Sequence, residues 1–146
     1  MKRVLLFLAV ICGLSANTQE LILDLHKKSD QPNIAVEHTF VFNLTNKTTN
    51  TESIEIITTN TNCNDVPTNK QSQLETKISD KSKSKSLQFL QLNSGEKRQF
   101  SVILKRPKNT KLNTYNCTKV IAKAEKGLLS NAVILKSYIP DPKLFQ

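Results

Sequence analysis

Between Leu21 and Tyr138 the apolar residues recur at every second position, and no helical period emerges. Phe40, Phe42 and Leu44 share one parity, as do Phe100, Val102 and Leu104, and again Val120, Ala122 and Ala124. Such short alternating runs fit strands that bury one face and wet the other. The pattern predicts strands at residues 21–26, 38–45, 53–59, 87–92, 99–105, 116–124 and 132–138. Breaks fall where turn chemistry sits, at Gln31-Pro32-Asn33, residues 46–51, Asn93-Ser94-Gly95-Glu96, Pro107 and Lys126-Gly127. Pro140 and Pro142 stop the last run. About seven short strands without a helix imply two sheets packed face to face, or a barrel.

The segment before this pattern is of another kind. Lys2 and Arg3 precede the apolar run 4–12, which is too short to span a bilayer. Small residues follow at Gly13, Ser15 and Ala16, and then the chain turns polar. This reads as a secretory signal over residues 1–18, cut after Ala16 or Thr18, followed by one domain over 19–146. The expected location is secreted, or periplasmic in a bacterium. No later stretch reaches transmembrane length, so a soluble product without a membrane span is expected.

Removing Lys2 and Arg3 takes the formal charge from +9 to +7. A positive surface favours acidic partners. Trp is absent and aromatic residues are 5% of the chain, so no stacking platform for nucleic acid is expected.

Cys63 and Cys117 remain after the leader, and in an oxidising compartment one disulfide is their simplest use. Two buried free thiols are the alternative. In a seven-stranded immunoglobulin-like sandwich the third and sixth strands are antiparallel neighbours. Cys63 lies just past the third run and Cys117 at the start of the sixth, so this topology brings them together. Closing a loop of about 54 residues contributes on the order of 4 kcal/mol in the chain-entropy picture.

Residues 60–86 break the alternation, with only Val66, Leu74 and Ile78 as aliphatics. They read as a long, mobile loop, with room for a short edge strand. Lys81, Lys83 and Lys85 alternate with serines, so an extended backbone would set their ammonium groups on one face. That face is the candidate binding surface, and edge protection is its ordinary role.

Several motifs carry a resemblance. They are Phe40-Val41-Phe42-Asn43-Leu44-Thr45-Asn46, the turn Leu92-Asn93-Ser94-Gly95-Glu96, Val120-Ile121-Ala122-Lys123-Ala124, and Val133-Ile134-Leu135 ahead of a proline. On these, residues 34–144 resemble the C-terminal immunoglobulin-like β-sandwich domains of animal transglutaminases, with Ser94 where that family's turn has Pro. The resemblance implies an antiparallel sandwich that lacks the family's catalytic core. No catalytic residue carries over.

Chemistry is otherwise sparse. A nucleophile–base pair of Cys63 or Cys117 with His26 or His38 lacks any local signature. No cofactor or metal set is expected, and no enzyme activity. Three Asn-x-Thr sequons, at Asn43, Asn46 and Asn116, are possible glycan sites, Asn46 being the most usable because it falls in a turn. The expected function is a secreted, non-catalytic binding module whose partner is another protein or an acidic surface. The alternative is a small hydrophobic-ligand carrier, in which Phe40, Phe42, Phe89 and Phe100 would line a cavity between the sheets.

Overall fold

The computed structural model describes residues 20–83 and 85–145, and the leader reading of residues 1–18 lies outside them. Eight strands follow in order: β1 Leu21–Lys27, β2 Glu37–Asn46, β3 Glu52–Thr61, β4 Glu75–Asp80, β5 Phe89–Leu92, β6 Lys97–Lys105, β7 Thr114–Ala124 and β8 Val133–Ile139. The described helical structure is two 3-10 turns, Thr68–Lys70 and Pro142–Phe145. One sheet has the order β1-β2-β6-β4 and the other β5-β3-β7-β8, with every pairing antiparallel. The chain is therefore an antiparallel β-sandwich, one strand richer than expected.

The parity read from the sequence sets the core. Phe40, Phe42 and Leu44 of β2 and Phe100, Val102 and Leu104 of β6 point inward, against Ile54 and Ile56 of β3 and Val120, Ala122 and Ala124 of β7. Phe42 and Phe100 are register partners whose rings stack 5.4 Å apart, a cross-strand pair at the centre of the sheet. The phenylalanines weighed as cavity lining thus pack as core, except Phe89, which points to solvent. A hollow lined by Leu74, Leu104 and Ile139 together with Ala35, Val36 and Arg106 of the adjoining loops holds about 10 Å³.

The eighth strand is β4, the short edge strand for which the segment read as a mobile loop had room. Its strand partner is β6, and its other flank meets residues 85–87 through the Ser79–Ser86 bridge and the bond from the Leu87 N–H to the Ile78 C=O, so this short edge strand requires few apolar residues of its own. Leu74 and Leu87, on either side of it, pack on the core. The Thr58 and Thr76 hydroxyls hydrogen-bond at 2.7 Å, tying β3 to β4 across the sandwich. Loop behaviour is confined to the ends of this segment.

The β1 edge is closed by a side chain. Asn131 accepts from the Leu23 N–H at 2.8 Å and donates to its C=O at 2.7 Å, so one amide stands in for a missing strand. Gly95 (φ 74°) and Gly127 (φ 90°) take the left-handed backbone at the two turns where the sequence placed them.

Candidate binding surface

Lys81, Lys83 and Lys85 do not lie on an extended edge. Their segment is a tight turn wrapped around Asp80: the Lys83 N–H donates to the Asp80 C=O, and the Lys85 N–H and Ser82 Oγ donate to the Asp80 carboxylate. Lys83 itself sits at φ 61°, in the left-handed region. The one-face expectation rested on an extended backbone, which Lys81, Ser82 and Lys83 do not adopt. All three lysine side chains are exposed.

The three sequon asparagines are buried. Asn46, 0% exposed, donates from Nδ2 to the Asn50, Leu92 and Asn93 carbonyls and accepts from the Thr48 N–H. Asn116, 1% exposed, donates to Asn60 Oδ1 and the Ser72 C=O and accepts from Thr118 Oγ1. Asn43 accepts from Gln99 Nε2. A glycan on Asn46 or Asn116 would have to displace these bonds, so this packing offers neither amide for attachment, and Asn46 is not the open turn residue it seemed.

Cys63 and Cys117 form the disulfide, with Cα atoms 5.4 Å apart and both residues buried. Neither of these two cysteines keeps a thiol to pair with His26 or His38. The bridge closes one end of the sandwich, where the loops 28–36, 62–74 and 106–113 gather. These loops carry more polar backbone than they can satisfy within themselves, and side-chain amides fill the gap. Gln71 accepts from the Cys63 N–H at 2.9 Å and donates to the Cys63 and Val66 carbonyls. Asn60 pairs with both backbone groups of Leu74. Ser72 donates its N–H to the Tyr115 C=O and shares a hydroxyl contact of 2.7 Å with Thr114.

On this braced base stands an aromatic ridge. Tyr115 of β7 and Tyr138 of β8 are register partners on the outward face, with ring centroids 4.9 Å apart. Lys136 Nζ lies 5.1 Å from the Tyr115 centroid and donates to the Asp65 carboxylate. That hydrogen bond, with one from the backbone, holds the Asp65 carboxyl below its ordinary range. Tyr138 donates to Asn113 Oδ1, which also takes the Asp141 N–H. The ridge separates two open hollows. One, of about 370 Å³, runs past Lys28, Ser29, His38 and Phe40, and the other, of about 480 Å³, past Asp65, Pro67 and Lys70. Ser29 Oγ lies 3.3 Å from His38 Nδ1 at the floor of the first.

The ridge can take a planar or apolar group against its rings and an anionic group at Lys28, Lys70 or Lys136. Sequence reasoning passed over Tyr115 and Tyr138 because they stand outside the core parity. That is the signal that could have found them: an aromatic at the solvent parity of a strand has no packing reason to be there.

No family model matches the chain, and no curated protein matches it. A solved structure described as a FixG-related protein from Vibrio parahaemolyticus aligns with 83% of this chain and 96% of its own length, at a TM-score of 0.55 and 12% identity. An ASH / PapD-like domain of human CEP192 aligns with 84% of this chain and 87% of its own, at a TM-score of 0.41 and 8% identity. With the four-plus-four antiparallel topology, the first likeness places the chain among immunoglobulin-like β-sandwich domains. Among the described residues, no helix is long and apolar enough to cross a membrane.

Proposed function

We propose that this protein is a non-catalytic interaction module working outside the cytosol, which binds an acidic protein partner through its disulfide-bearing end. The observation that carries the reading is the Tyr115–Tyr138–Lys136 ridge between two open hollows, held on a cross-linked base. Recognition residues are commonly carried by loops on a rigid scaffold, and aromatic and cationic side chains supply most of the energy at such contacts. The signal-like start and the disulfide support an oxidising compartment. The motif resemblance supports a finer statement, that the module is a stand-alone counterpart of the transglutaminase C-terminal sandwich. The basic turn 81–85 keeps a secondary role, as long-range attraction.

Binding of a polyglutamate peptide and of heparin, measured by calorimetry, tests this. Lys136→Glu is expected to weaken the peptide complex by about tenfold, which is about 1.4 kcal/mol, and Tyr138→Ala by a similar factor. Changing Lys81, Lys83 and Lys85 together to Gln should alter affinity less than either. Equal losses for ridge and turn variants, or binding of heparin alone, would refute the assignment.

A further inference from the structure

The outward face of the second sheet carries apolar side chains that no other part of the described fold covers. Register places them in rows across the strands. Phe89 of β5, Glu55 of β3, Lys123 of β7 and Leu129 of the β7–β8 turn form one row. Ile57 and Ile121 form the next, and Thr59, Lys119 and Ile134 the one after. Phe89 is 55% exposed, Leu129 53% and Ile134 51%, while Ile57 and Ile121 are half-buried. Single exposed apolar residues are ordinary, but a contiguous group framed by charge marks a contact surface. Glu55 and Lys123 stand opposite each other beside Phe89, around an open hollow of about 380 Å³. Neither forms an ion pair among the described residues.

We propose that this face joins two copies of the chain about a two-fold axis that runs along the strands, between β3 and β7. That rotation sets β3 of one copy over β7 of the other. Glu55 meets Lys123 of the second copy, Lys123 meets its Glu55, Ile57 meets its Ile121, and Phe89 meets its Leu129. An isologous contact makes each of these twice. An axis across the strands would instead set Lys123 on Lys119 of the second copy, like charge on like. The charge pattern therefore selects one of the two axes that lie in the face. Sheets packed face to face with strands nearly aligned are a common arrangement. The chosen axis also leaves both disulfide ends pointing the same way. If the function proposed above holds, the pair offers two ridges to one partner surface, although the dimer itself does not rest on that function.

Sedimentation velocity of the purified protein from micromolar to millimolar concentration tests the contact. The wild type is expected to shift from monomer to dimer as concentration rises. Glu55→Lys and Lys123→Glu, both at exposed positions, should each sediment as folded monomers with unchanged circular dichroism. Mixing these two variants in equal amounts should restore the dimer, because one then offers two lysines where the other offers two glutamates. Ile57→Lys should stay monomeric alone and in every mixture. A wild type that is monomeric at all concentrations, single variants that dimerise as well as wild type, or a mixture that stays monomeric would each overturn the proposal.

Discussion

The two ends of the sandwich solve the same problem differently. At one end β2 runs into β3 through residues 47–51, and β5 into β6 through 93–96. Both turns are short, and one buried amide, Asn46, serves three carbonyls from them. Ser94 Oγ adds a bond to the Thr48 C=O, and the Gly95 N–H one to the Asn46 C=O. Two ion pairs lie there, Glu96 with Arg98 and Glu20 with Lys47. At the other end the loops are longer, three side-chain amides and a disulfide are needed to hold them, and aromatic and cationic groups remain at the surface. Closing a short turn takes one side chain. Holding a long loop takes several, and once it is held the loop can display side chains for recognition.

The strongest way to break this comparison is to remove the cross-link. The double variant Cys63→Ser with Cys117→Ser should lose about 4 kcal/mol in urea denaturation. Hydrogen exchange should then rise first in residues 62–74, while 46–52 and 92–96 keep their protection. A uniform rise would mean that the two ends form a single unit. Next is Asn46→Ala, which strips hydrogen bonds from three carbonyls and the Thr48 N–H. It should cost about 2–4 kcal/mol and open the opposite set of residues.

Gln71→Ala should cost less, about 1–2 kcal/mol, because the disulfide still anchors the loop that Gln71 braces. A loss equal to that of Asn46→Ala would show that the amide, not the bridge, carries the disulfide end. Changing Lys81, Lys83 and Lys85 together to Gln should shift stability by under about 0.5 kcal/mol, since exposed charges contribute little. A larger loss would show that the turn around Asp80 depends on its lysines.

The smallest expected effect is at Asp65. Its hydrogen bond from Lys136 lowers its pKa in the folded protein. Such a pair favours the fold while the carboxyl is ionised, fully so above the ordinary aspartate range, and stops doing so as pH falls through the lowered value. The group is exposed, so denaturation curves should not register it. An NMR titration should place the Asp65 midpoint below the ordinary aspartate value in the wild type and higher in Lys136→Gln, where the backbone bond alone remains to lower it. Identical midpoints would remove the ion pair from the ridge.

Much of this fold was legible because burial on one face enforces parity. The inward residues of β2, β6 and β7 follow directly from alternation, and the disulfide follows from where two strands end. Strand β4 was legible only as room for a short edge strand, because Ile78 is its one aliphatic residue and its hold on the core comes as much from the neighbours Leu74 and Leu87. The Asn-x-Thr spacing carried a real signal with another meaning. Residues two apart on a strand share a face, so Thr118 reaches the Asn116 amide, and in the turn after β2 the Thr48 N–H reaches that of Asn46. The ridge stayed hidden because Tyr115, Tyr138, Lys136 and Asp65 converge only through the β7–β8 register and the bridged loop.

The strand order also sets a timetable. A ribosome delivers β1, β2 and β3 first, yet the central partner of β2 is β6 and that of β3 is β7. Until residue 97 has emerged, only the β1–β2 and β3–β5 pairings are available, and the second of these is four residues long. The nascent first half therefore carries Phe40, Phe42, Ile54 and Ile56 with no sheet to receive them, which is the interval in which such chains aggregate or engage chaperones. Cys63 waits through the same interval for a partner 54 residues downstream, so an oxidant acting too early meets Cys63 before Cys117 has emerged and one acting late meets a formed sheet.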